Sequence, residues 1–203
     1  MKITAIKQQV RNPERVSIFV DGKYSFSLTL DELLAQKLKN GDELQKEDVK
    51  RLKKISADGK LRMRAMEWLL NRPHSQREFH DYLYRKKTPA EQIEALTAEF
   101  IGKGYLDDRK FGEWFIDLQK RRAKSNRAIR AELFKKGLNR ELIEELMSGG
   151  QDDEAERLMA LIAKKQKSAR YKNDPLKLAK YLTSQGFSYS LVKERLNLNR
   201  SDS

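Results

Sequence analysis

The chain has 203 residues, 43 Lys and Arg against 30 Asp and Glu, no cysteine and a mean hydropathy of −0.81, which excludes a disulfide framework and fits one or two domains in a reducing compartment. No run of about 18 apolar residues occurs, and Met1-Lys2-Ile3-Thr4 leads straight into strand-like sequence, so neither a membrane span nor a secretory leader is expected. The net charge of +13 and pI of about 9.8 point to a polyanionic or acidic partner.

The first elements are strands. Val16 to Val20 and Tyr24 to Leu28 alternate apolar and polar residues around Asp21-Gly22, the pair that best supports a two-residue hairpin turn, and Ile3 to Val10 alternates more loosely as a third strand. Leu30 to Leu38 and Glu47 to Ile55 read as short helices separated by Asn40-Gly41-Asp42, so residues 1–59 form an extension that ends near Asp58-Gly59.

From there the chain reads as helix after helix, mainly α, in three tandem three-helix repeats at 60–107, 108–150 and 151–203. In the first, Leu61, Ala65, Trp68 and Leu69 mark one face, Ser75-Gln-Arg-Glu78 reads as a capping box, and Thr88-Pro89-Ala90-Glu91 as a second with proline at the first helical position. In the second, Asp107-Asp108 opens the unit and Phe111, Trp114, Phe115 and Leu118 face its core. In the third the first helix slips register, with Leu158, Leu161 and Ile162 preceding a longer basic connection through Asn173.

The repeat shows in its caps and apolar pairs. Ser75, Ser125 and Asp174 start the three second helices, Phe79/Leu83, Ile129/Leu133 and Leu178/Leu182 follow in register, and Ile93, Ile143 and Val192 continue it, all at offsets of 50 and 49 residues. The helices end at Lys87, Gly137 and Gly186, the last two where a C-cap favours a left-handed residue. Units of this size bury little alone and share contacts with neighbours, which makes an array a binding surface before it makes a reaction pocket.

The charge is clustered. Lys120, Arg121, Arg122, Lys124, Arg127, Arg130, Lys135 and Lys136 face one acid, Glu132, and Lys164, Lys165, Lys167, Arg170, Lys172, Lys177 and Lys180 face Asp174. The stretch between is acidic, with Glu141, Glu144, Glu145, Asp152, Asp153, Glu154 and Glu156. With Arg72 and Arg77 of the first repeat, the basic groups (Lys180 and Lys120 aside) make the candidate partner-binding set, periodic along one side if the units stack in line. Arginine density between Arg121 and Arg130 suits bidentate grip on carboxylates or phosphates.

Catalytic constellations are thin. Two histidines, His74 in a loop and His80 on a surface or boundary helix position, and no cysteine leave no metal site of nitrogen and thiolate ligands, and no phosphate-binding glycine motif occurs. Asp107-Asp108 is the one carboxylate pair that invites a metal-dependent nuclease, but its place before a helix favours an N-cap. Trp68, Phe79, Tyr82, Trp114, Phe134 and Tyr181 recur at helical spacing with aliphatics and read as core.

The run Gly104 to Phe115 (GYLDDRKFGEWF), followed by Arg121 to Leu138 with its Glu-Leu-Phe-Lys-Lys-Gly at 132–137, resembles the signature of the RecX family of bacterial recombination regulators, and the resemblance extends over essentially the whole chain. The family often has glycine where this chain has Ser125-Asn126; asparagine tolerates a left-handed backbone. The resemblance implies a non-catalytic, cytoplasmic, monomeric regulator without cofactor, tied to DNA repair and the SOS response. It implies binding along the groove of the RecA recombinase filament, with inhibition of strand exchange and coupled ATP hydrolysis, and contact with single- or double-stranded DNA. A direct DNA- or RNA-binding module is the competing reading, since basic clusters alone do not separate phosphates from acidic side chains.

Overall fold

Asp21 and Gly22 both take positive φ, 49° and 79°, and the strands on either side pair Val20 with Lys23. The result is an antiparallel meander of β1 (Ile3–Gln9), β2 (Asn12–Val20) and β3 (Lys23–Thr29) in that order. The computed structural model describes residues 1–148 and 153–198. Among the described residues no strand follows Thr29, and no helix is long and apolar enough to cross a membrane. Asp152, which belongs to the acidic stretch, and the end of the third repeat at 199–203 lie outside the described residues.

Ten helices follow. They are α1 (Leu30–Ala35), α2 (Lys46–Leu70), α3 (Gln76–Arg85), α4 (Ala90–Gly102), α5 (Asp108–Arg121), α6 (Asn126–Lys135), α7 (Arg140–Ser148), α8 (Glu154–Gln166), α9 (Pro175–Ser184) and α10 (Tyr189–Arg195). The chain divides between Leu70 and Asn71 into two compact units. In the first, Ile3, Ile18, Leu28 and Leu52 are fully buried between the sheet and α2.

The break expected at Asp58-Gly59 is absent, because α2 runs unbroken from Lys46 to Leu70 through both residues. Gly59 serves close approach there rather than a turn. A Cβ at this position would fall on the carboxylate of Glu32, which caps α1 by accepting the Thr29 amide at 2.8 Å while Thr29 Oγ1 accepts the Glu32 amide at 3.0 Å. A mid-helix glycine costs about 1 kcal/mol against alanine, and here it leaves room for the Glu32 carboxylate to keep its capping position.

In the second unit α3 and α4 are followed by two sets of three helices, α5–α7 and α8–α10, and the repeat register holds at the core. Phe79, Leu83, Ile129, Leu133, Leu178 and Leu182 are all fully buried, and Ile93, Ile143 and Val192 are buried with them. Ser75, Ser125 and Asp174 are N-caps, accepting from the amides of Glu78, Ala128 and Lys177. The predicted box at Ser75 is only half formed, because the Glu78 carboxylate turns away to other donors. The predicted box at Thr88 does not form: Pro89 is the N-cap of α4, and the buried Thr88 hydroxyl has no hydrogen-bond partner among the described residues. Phe79 and Phe100 meet edge to face at 5.6 Å between α3 and α4. α5 to α7 close around Phe111 and Phe115, and α8 to α10 around Leu158, Ile162 and Phe187.

Candidate partner-binding surface and the joints that position it

Successive repeats are joined through the ends of their second helices. Ser75, at the start of α3, donates its hydroxyl to the carbonyl of Lys136 at the end of α6, 2.7 Å away, and Ser125, at the start of α6, donates to the carbonyl of Gln185 at the end of α9, 2.9 Å away. Both hydroxyls also accept their cap amides, so each serine is fully used and fully buried. A helix N-terminus thus meets a C-terminus at each joint, an arrangement the helix dipoles favour.

A second bond repeats beside the first. The amide of Gln76 donates to Asp108 Oδ1 at 2.8 Å, and the amide of Asn126 donates to Glu154 Oε1 at 2.6 Å. Each of these acids opens the first helix of the following repeat. Asp107 accepts the amides of Arg109 and Lys110, so both carboxylates of Asp107-Asp108 act as helix-end acceptors. Burial at the joint raises the Asp108 carboxyl above its ordinary value; the Gln76 amide opposes that and the charge of Asp107 adds to it.

The glycines complete the joint. Gly137 and Gly186 take φ of 93° and 94°, and a Cβ on Gly137 would lie 2.7 Å from Arg77 Cβ, while one on Gly186 would strike Ser125 Oγ. Lys87, the counterpart in the first repeat, has φ of 58° and is exposed.

Each joint has its own ionic fitting. At the first, Glu78 accepts from Arg72 at 2.9 Å, His74 at 3.1 Å and Lys136 at 2.7 Å. Burial alone would raise the Glu78 carboxyl, but these three hydrogen bonds outweigh it and hold it well below the usual carboxylate range. Arg72 also lies over the Trp114 ring at 5.1 Å. At the second joint, Ala128 and Gln185 replace Glu78 and Lys136, and the buried Arg157 of α8 bonds the carbonyl of Lys124, Asn126 Oδ1 and the Asp153 carboxylate.

The predicted basic set therefore divides by use. Arg72 and Lys136 are joint residues, and the stem of Arg77 packs on Gly137. Arg121 pairs with Asp117 at 2.6 Å, Arg130 with Glu144 at 3.0 Å and Lys135 with Glu132 at 3.5 Å. Arg122, Lys124 and Arg127 have no carboxylate partner among the described residues. They edge two hollows beside the first turns of α6, of about 410 and 270 Å³, which share Lys124, Ala128 and Glu132. In the third repeat Lys165 lies over Tyr181 at 4.7 Å and Arg170 over Tyr171 at 5.4 Å, while Lys164, Lys167, Lys172 and Lys177 are exposed.

Two features lie outside the sequence reading. The joint bonds span sixty residues and leave no local pattern. Phe134, read as core, is 62% exposed, and Tyr84 at the same register is 72% exposed. The signal was present in α6, since Phe134 falls beside rather than on the Ile129/Leu133 stripe.

Such a molecule is a helical-repeat protein with an unneutralised basic surface and locked joints. Its first 45 residues match the family model described as the regulatory protein RecX N-terminal domain, and residues 107–147 match that of the RecX second three-helix domain. It is 32% identical to the regulatory protein RecX of Bacillus pumilus over 96% of this chain and 76% of that one, and 31% identical to that of Listeria monocytogenes over 95% and 74%. A crystal structure of regulatory protein RecX superposes with a TM-score of 0.70 at 25% identity, covering 97% of this chain and 98% of that one. The chain belongs to the RecX family of regulatory proteins.

Proposed function

We propose that this protein regulates the RecA recombinase by binding its filament along the helical groove and slowing strand exchange and coupled ATP hydrolysis, without chemistry of its own. The observation that carries the reading is the pairing of repeated, fully bonded joints with the unneutralised cations Arg122, Lys124 and Arg127. A partner built from identical subunits presents acidic groups at regular intervals, and an array with fixed joints meets several of them at once. Contacts weak singly then gain from effective concentration. Inhibition needs only unequal affinity for two filament states.

The test is titration of the full chain against recombinase filaments and against the same DNA uncoated, at about 0.15 M salt, with ATP hydrolysis followed in parallel. Tighter binding to the filament, with falling hydrolysis, supports the reading. Equal or tighter binding to bare DNA, weakening steeply with salt, replaces it with a direct nucleic-acid module.

A further inference from the structure

The solvent face of α6 carries a feature that the joints and the cation cluster leave unused. Phe134 stands 62% exposed one turn beyond Arg130, with exposed Ala131 beside it. Between α6 and α7 lies a hollow of about 250 Å³ lined by Arg130, Ala131, Phe134, Arg140, Ile143 and Glu144. Its floor is aliphatic and aromatic, and its volume suits one apolar side chain. Glu144 is held by Arg130 at 3.0 Å, whereas Arg140, and Arg127 one turn back along α6, have no carboxylate partner among the described residues. An exposed ring next to a socket and rimmed by free guanidinium groups is the composition that concentrates binding energy at protein interfaces.

The other repeats lack this combination. Tyr84 occupies the ring position in the first repeat, but Asp81 stands at the place of Ala131 and Ala90 at that of Arg140. The third repeat has Thr183 in place of the ring.

We infer that the α6–α7 face of the middle repeat is the anchoring site of the array, and that it receives an acidic protein segment that inserts one apolar side chain against Phe134. The inference deepens the filament reading, and rests on it only for which protein carries the segment. Charge complementarity sets the sign of the occupant. A protein segment fits better than a nucleic acid strand, because single-strand platforms stack successive bases on successive rings and this face offers one.

The experiment uses the full chain and its Phe134→Ala and Ala131→Glu variants, with the melting temperature as folding control. Three probes are titrated: recombinase filaments on oligo-dT, bare oligo-dT, and a short glutamate-rich helical peptide with one leucine, the last followed by amide NMR shifts. Both variants should melt with the parent and bind filaments and peptide at least about tenfold more weakly, with bare oligo-dT unchanged by Phe134→Ala and peptide shifts confined to α6 and α7. Variants that bind filaments as the parent does overturn the anchoring site and leave the filament reading standing. An equal loss on bare oligo-dT in Phe134→Ala shows the ring stacking on bases and also overturns it. A parent that ignores filaments yet binds the peptide through α6 removes the filament reading and keeps the site; failure with both probes removes both.

Discussion

Ser125 donates its hydroxyl to the Gln185 carbonyl at 2.9 Å, sixty residues further along the chain, while accepting the Ala128 amide at 3.1 Å. One buried side chain thus caps a helix and fastens it to the next repeat, as Ser75 does with Lys136. Replacing Ser125 by alanine removes both bonds and leaves a carbonyl without its donor, so about 2–3 kcal/mol of stability should be lost. Asp174→Ala removes a cap alone and should cost about 1 kcal/mol. Urea unfolding compares the two; equal losses would mean that the joint bond contributes nothing.

Gly137 and Gly186 should resist substitution for two reasons at once. Alanine at φ of 93° or 94° is strained, and its methyl group meets Arg77 or Ser125 across the joint. Each Gly→Ala variant should lose at least about 2 kcal/mol. Lys87→Gly removes left-handed strain at φ of 58° but adds freedom to the unfolded chain, and should stay within about 0.5 kcal/mol of the parent. A tolerated Gly137→Ala would falsify the close-packed joint.

The same positions show what the amino-acid order makes legible. Ser75, Ser125, Asp174 and the paired apolar residues obey the helix period, a local rule, so the three caps and the burial of the apolar pairs could be read directly. The second bond of each serine was hidden, since it depends on where a helix end sixty residues away comes to rest. Charge hid its partners in the same way. Arg72 and Lys136 look as available as Arg122 and Arg127 until Glu78, the reciprocal half of an expected capping box, is seen to gather them. The break placed at Asp58-Gly59 mistook a glycine that makes room for the Glu32 carboxylate for a helix end.

Glu78 gives the first joint a pH dependence. Its folded-state pKa lies below the ordinary 4.5, so its stabilising effect is complete above that pH and is lost as pH falls toward the folded value. Glu78→Gln should cost about 2–4 kcal/mol at neutral pH by leaving Arg72 and Lys136 without their acceptor charge. The gap between variant and parent should narrow below about pH 4.5. Chemical unfolding from pH 7 to pH 3 checks this; a gap that stays constant would place the stabilisation elsewhere.

Arg122, Lys124 and Arg127 cluster around the first turn of α6 with no carboxylate partner among the described residues, and the most direct measurement removes them together. In the Arg122→Ala, Lys124→Ala, Arg127→Ala variant the melting temperature should match or slightly exceed that of the parent, because repulsion is relieved and no described ion pair is lost. Affinity for the recombinase filament at about 0.15 M salt should fall at least tenfold, roughly 1.4 kcal/mol, and inhibition of ATP hydrolysis with it. A variant that folds like the parent, binds the filament as tightly and inhibits as strongly would contradict the account, and would reduce this cluster to a solvated helix face.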